Sequence, residues 1–315
     1  MPESFSLIKN LHNYRKAFCY TFSMDVLRGQ EGFEAFYSEM YGERWPRLKE
    51  ALLQPKKHVA ILNPFSKFKF PEHPMTMSGF SFEHDIRESF PHPERTESGY
   101  LNYYLLDAAS ILPVEALNPQ PGEKVVDLCA APGGKSFLCA LKMQNKGILV
   151  SNDRSAARRA RIHKIFDEYF PKTEQKNHKV TGHDASKWCL YEKSAYDKVL
   201  LDAPCSSERH VLEDPKELAT WAPGRTKAIA VMQFAMLASA LDILKIGGTV
   251  VYSTCALSHL ENDDIIRKLH QKRPNKFELI RPEFAFGEPT EFGWQILPDA
   301  TGWGPFYLAV VKRTR

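Results

Sequence analysis

The chain has 315 residues, 43% hydrophobic and 25% charged, with a formal net charge of +4. This profile gives enough apolar material for one large domain and a smaller one, and it excludes a disordered or low-complexity chain. An isoelectric point near 8.6 permits a polyanionic partner without demanding one.

Residues 1–23 set Lys9, Arg15 and Lys16 against a single acid, Glu3, a balance that suits a weak transit peptide or a plain helical extension. Phe33, Phe36, Tyr37 and Tyr41 recur at helical spacing, and Leu48, Leu52 and Leu53 follow Trp45-Pro46. These signals predict a mainly helical N-terminal domain over 1–82, joined by a proline- and charge-rich linker over 83–99 to a larger domain over 100–315. In that larger domain, residues 103–117 carry apolar positions at helical spacing. Short apolar strands then alternate with helices: strand 125–128, a glycine turn and a helix from Ser136, strand 148–151, helix 155–170, strand 179–181, strand 196–202, helix 225–244, strand 247–254 and helix 261–271. Residues 277–280 and 306–311 are expected to pair as a closing hairpin. The pattern is α/β, a doubly wound, mostly parallel Rossmann-like sheet. No apolar run reaches membrane-spanning length; residues 228–244, interrupted by Gln233, Ser239 and Asp242, read as a buried helix.

The six cysteines are Cys19, Cys129, Cys139, Cys189, Cys205 and Cys255, and none forms a Cys-x-x-Cys pair, so no metal site is expected. Their placement in apolar runs points to a reducing compartment: the cytoplasm, or alternatively the mitochondrial matrix. Cys205 and Cys255 each end a strand. If those strands are neighbours, two thiols meet at the carboxyl edge of the sheet, an arrangement suited to covalent chemistry on a small ring. The first strand runs into Cys129-Ala130-Ala131-Pro132-Gly133-Gly134-Lys135, where small residues let backbone approach a ligand. The spacing fits neither the dinucleotide fingerprint nor a phosphate loop. Asp153, about 20 residues past that turn, is placed for ribose hydroxyls or for a helix cap. Asp184 is placed for an adenine amino group or for a turn. Together these residues spell an S-adenosylmethionine site.

The segments 129–135, Asp202-Ala203-Pro204-Cys205 and Ser253-Thr254-Cys255 resemble the signature motifs of the Sun-family RNA cytosine-5 methyltransferases, and Gly302-Trp303-Gly304-Pro305-Phe306-Tyr307 extends the likeness. The resemblance implies Cys255 as nucleophile, Cys205 in release of the methylated base, Asp202 on the cytosine ring and Lys135 in positioning it. It implies cofactor contacts from Cys129, Ala130, Ala131, Pro132, Gly133, Gly134, Lys135, Asp153, Arg158, Asp184 and Asp202. DNA cytosine-5 methyltransferases use a Pro-Cys nucleophile instead, which would promote Cys205; the Thr-Cys motif and the 129–135 turn favour the RNA family. Residues 36–46 and 204–210 are similar to the mitochondrial ribosomal-RNA branch, which implies RNA as partner, rRNA ahead of tRNA, and a possible protein targeting partner. An RNA-binding assembly factor without activity is the alternative from another class. Arg154, Arg158, Arg159, Arg161 and Lys164 form a basic cluster that suits either phosphate contact or a plain solvated face, and Arg209 and His210, with Arg225 and Lys227, are further candidates for phosphate.

Overall fold

A computed structural model describes residues 27–69, 81–83 and 90–315. Cys19 and the cationic stretch before it lie outside the described residues. Helices α1 (Gly29–Tyr41) and α2 (Trp45–Leu53) bury Phe33, Tyr37, Trp45, Leu48 and Leu52 together, and Pro46 falls in the first turn of α2, where its missing N–H costs nothing. Leu53 departs from the expected face and is 51% exposed, since it lies about 100° round the helix from Leu52.

This N-terminal unit also contains strand. β1 (Val59–Leu62) pairs antiparallel with β2 (Ser81–Glu83) and with β3 (Tyr103–Leu106), so the expected boundary at 82/83 falls inside a small sheet. The helix expected over 103–117 is corrected in the same way. β3 ends at Leu106; the carboxylate of Asp107, the next residue, accepts from the Ala109 N–H at 2.8 Å, and a tight turn then leads into the short α3 (Leu112–Leu117). Tyr103 and Tyr104 suit a pleated surface, and pairing with β1 overrides their helical spacing.

Beyond α3 come β4 (Lys124–Asp127), α4 (Gly134–Lys142), β5 (Ile148–Asn152), α5 (Ala156–Tyr169), β6 (His178–Thr181), β7 (Tyr196–Asp202), α6 (Glu208–Glu213), α7 (Pro215–Thr220), α8 (Pro223–Ile243) and β8 (Leu244–Thr254). The chain closes with α9 (Asp263–Lys272), β9 (Phe277–Ile280), β10 (Glu288–Pro289), β11 (Trp294–Ile296), α10 (Pro298–Thr301) and β12 (Phe306–Arg313). The large sheet has the order β10-β11-β12-β8-β7-β4-β5-β6, and β9 also pairs with β12, antiparallel as expected. Strands β8, β7, β4, β5 and β6 run parallel, and β12 is antiparallel to β8. The sheet is therefore the doubly wound, mostly parallel Rossmann-like form.

The chain travels outward from β4 to β6, then returns to β7 on the other side of β4. That reversal opens a crevice at the carboxyl ends of β4 and β7. Val125, Val126, Val199, Leu200, Leu201, Val250, Val251 and Tyr252 are all buried, because both faces of the sheet are covered. One face packs against Phe137, Leu138, Ile162 and Phe166, the other against Met236, Leu237, Ala240, Ile265 and Leu269. Helix α8, long and apolar enough by composition to cross a membrane, packs one edge on the sheet and leaves Val231 exposed, so only half of the expected buried helix is buried.

Candidate active site

β7 and β8 are adjacent and parallel, with Asp202 opposite Ser253. Their register carries Cys205 and Cys255 to the same edge, where the two Sγ atoms lie 2.8 Å apart. Ser207 Oγ is 3.8 Å from the Cys255 sulfur. The Cys205 thiol bonded to it holds Cys255 below the ordinary thiol range, although burial and Asp202 push the other way. Cys205 moves in the opposite direction, raised by that same bond, by burial and by the negative charge on Cys255. Of the two thiols, Cys255 is therefore the one that gives up its proton more readily, with the Cys205 thiol left to donate to it.

Lys135 reaches the same edge from the first turn of α4. Its ammonium pairs with Asp202 Oδ2 at 2.8 Å and is 16% exposed, and Ser253 Oγ donates to Asp202 Oδ1 at 2.9 Å. Burial works against the Lys135 charge, yet Asp202, with Asp127 and Cys255 behind it, holds it above its ordinary value. The ammonium also lies 5.3 Å from the centre of the Phe306 ring on β12. Sulfur pair, carboxylate and ammonium thus come from β7, β8 and α4.

The 129–135 turn fits between β4 and α4 because glycine stands where it must. Gly133 has φ +122°, and a Cβ on Gly134 would fall 2.6 Å from the Tyr104 ring. Cys129 packs on the core and is pushed up by burial, so it is not a reactive thiol. Asp153 follows β5 directly; its Oδ1 accepts from the Ser155 N–H at 2.9 Å and its Oδ2 pairs with Arg158 at 3.3 Å. Arg158 also donates to the Ala131 carbonyl at 3.0 Å, tying α5 to the turn. Asp184 lies past the end of β6, where its Oδ1 accepts from the Ser186 N–H and hydroxyl. S-adenosylmethionine fits this donor set: a glycine turn with no room for side chains, acids past β5 and β6, and a buried Asp127 Oδ1 that has no partner.

Arg209 is a correction. It is 6% exposed, and its guanidinium donates to the carbonyls of Leu52, Gln54 and Gly304, so it staples α6 to the N-terminal unit and is not available to phosphate. Arg159 is spent on the carbonyls of Asp153 and Arg154, and Arg225 on Glu217. Arg154, just before α5, and Arg161 and Lys164 on it remain exposed.

Sequence reasoning missed two buried networks. Asp127 at the end of β4 accepts from Ser136 Oγ at 2.7 Å, Ser151 Oγ donates to Ser136 Oγ at 2.8 Å, and His178 Nε2 lies 2.9 Å from Ser151 Oγ. Burial drives Asp127 up to about 7. The second network holds Glu208 and Glu261 beneath the Pro-Cys loop. Its only sequence signal is the acid three residues after Cys205, in a segment that otherwise reads as a loop.

The model of the 16S rRNA methyltransferase RsmB/F family matches residues 114–312. The chain belongs to this family. It is an S-adenosylmethionine-dependent RNA cytosine-5 methyltransferase. The 5-cytosine rRNA methyltransferase NSUN4 of Bos taurus is 31% identical over 339 residues, covering 90% of this chain and 88% of that protein. The mitochondrial tRNA (cytosine(34)-C(5))-methyltransferase of Danio rerio is 33% identical, covering 89% and 86%. A solved methyltransferase homolog from Pyrococcus horikoshii superposes with a TM-score of 0.73 at 26% identity, covering 90% of this chain and 94% of that one. The cytoplasmic expectation gains no support here, whereas the zebrafish relative is described as mitochondrial.

Proposed function

We propose that the chain methylates carbon 5 of a cytosine in ribosomal RNA through a covalent adduct on Cys255, in the mitochondrial matrix and with a protein partner aiding its targeting. The observation that supports this reading best is the 2.8 Å approach of the two sulfurs beside the Lys135–Asp202 pair. Bound S-adenosylmethionine supplies the electrophilic methyl group. The turn 129–135, Asp153, Arg158, Asp184 and Asp202 are the residues that would hold it. The Cys255 thiolate adds to carbon 6 of the ring, forming S–C6 and moving the π electrons toward carbon 5, which becomes nucleophilic. A proton held between Asp202 and the ring nitrogen takes up the charge that develops there, and Lys135 keeps Asp202 oriented. Release requires loss of the carbon 5 proton as S–C6 breaks and the ring double bond returns; Cys205, alongside, is the group assigned to that step. A duplexed cytosine would have to leave its stack, so a loop or single strand suits the site.

Replacing each cysteine tests the assignment. Cys205→Ala should accumulate a covalent protein–RNA adduct in cells, and Cys255→Ala should show neither adduct nor methylation. Methylation retained by Cys255→Ala would overturn the nucleophile. Sequencing the RNA trapped by Cys205→Ala decides the substrate. Ribosomal RNA supports the reading, and transfer RNA, which the zebrafish relative modifies by name, replaces it. No adduct and no methylation on any RNA would favour an assembly factor.

A further inference from the structure

The loop that carries Cys205 is held from beneath by two carboxylates. Glu261 Oε2 accepts from the Ser206 N–H at 2.9 Å and from Gln233 Nε2 at 2.9 Å, and Gln233 Nε2 also donates to the Pro204 carbonyl at 2.9 Å. Glu208 Oε1 accepts from Ser206 Oγ at 2.6 Å and from Tyr37 Oη at 2.5 Å, while its Oε2 accepts from the Leu257 N–H at 3.0 Å. Both neighbours of Cys205 are therefore fixed by this cluster, and Glu208 also grips the turn just after Cys255. Glu208, Glu261 and Gln233 are each 0% exposed.

All of these partners are neutral: a phenol, a hydroxyl, an amide and backbone N–H groups. Two carboxylates reaching one serine in a dry site cannot both ionise cheaply. One oxygen of the pair, Glu261 Oε1, is buried without a partner, as is the neighbouring Gln233 Oε1. A proton on Glu261 converts an unsatisfied acceptor into a donor. The other titratable groups facing the pair are Tyr37 on α1, Tyr252 on β8, and the two cysteines.

We propose that Glu208 and Glu261 are a positioning pair for Cys205: a proton held on Glu261 keeps the pair singly charged, the two fix the loop that carries the sulfur, and they set the pH at which Cys205 gives up its own proton. Losing the Glu261 proton would place a second negative charge behind the sulfur and hold the thiol protonated to higher pH. Burial and the Glu208 charge bring Glu261 up to about 7, so the change falls in the working range. The proposal rests on the role given to Cys205 above, but its test needs no RNA.

Limited alkylation of the full chain with iodoacetamide, read peptide by peptide across pH, reports each thiol separately. Glu261→Gln removes the charge and keeps the shape. At a fixed pH above about 7 and below the thiol's own titration, Cys205 should then react about tenfold faster. Glu208→Gln should do the same, while Cys189, bonded through its backbone to Ser239 and outside the cluster, should not move. The parent chain should show a Cys205 reactivity curve with an inflection near pH 7. An unchanged Cys205 curve in a folded variant, a matching change at Cys189, or a single smooth thiol titration in the parent would overturn the proposal. If Cys205 responds as expected in a chain that methylates no RNA, the proposed function fails and the pair stands.

Discussion

Cys205 and Cys255 share a residue type and a hydrogen bond, yet they are driven in opposite directions, because only one of two touching thiols can profitably lose its proton. The same logic applies to Asp127, where burial favours the neutral acid. Its carboxyl is near 3.8 unfolded and about 7 folded, so the raised folded value makes a stabilising contribution that is complete below about pH 4 and lost as pH rises through about 7. The Asp127→Asn chain should lack this part of the decline. Its melting temperature relative to the parent should improve between pH 5 and pH 8, and parallel melting curves would count against the assignment. The sulfurs, Asp202 and Lys135 were legible in the sequence because motif residues sit at strand ends and the first helical turn. Asp127 carries no spacing signal of its own, since its character comes from Ser136 and the covering core.

The basic side of α5 read from the sequence as one cluster, but the structure divides it. Arg158 and Arg159 are committed to carbonyls and to Asp153, leaving Arg154, Arg161 and Lys164 facing outward. Alanine at Arg154 or Arg161 should therefore weaken RNA binding evenly across sequences and reduce its salt slope by about one, with Arg209→Ala leaving that slope unchanged. Binding measured from low to moderate salt checks this, and an altered slope for Arg209→Ala would restore Arg209 to the RNA surface. Arginine reads identically in a sequence whether it meets a phosphate or a carbonyl; only the fold brings Leu52, Gln54 and Gly304 to its guanidinium. The strand at 59–62 was missed for a related reason. A four-residue apolar run is ambiguous alone, and its pairing partner lies beyond the expected linker.

Across the molecule, the N-terminal unit and the catalytic sheet are one packed body. Phe33, Tyr37 and Trp45 share a core with Val211, Trp221, Leu257 and Leu297, and Tyr41 Oη donates to the Leu257 carbonyl at 2.8 Å. Thermal unfolding should thus be a single transition with near- and far-ultraviolet dichroism coincident. Tyr37→Phe, which strips a donor from buried Glu208, should lower stability by about 2 kcal/mol while keeping the transition single. Separate transitions would show the two parts to be independent. The doubly wound, mostly parallel class of the large sheet was readable from the alternation of strand and helix, whereas its strand order came only with the structure. The fusion of the two parts was not, since it depends on contacts more than 150 residues apart, such as Tyr37 with Glu208.

The register of β7 against β8 has one more consequence. Cys205 stands three positions beyond Asp202, whereas Cys255 stands two beyond the residue opposite it, Ser253. Counting along the backbone, not the identity of the intervening side chains, therefore brings sulfur to sulfur. Adding or deleting a single residue on either short arm would swing one thiol toward the wrong face and silence the enzyme with every motif letter still in place.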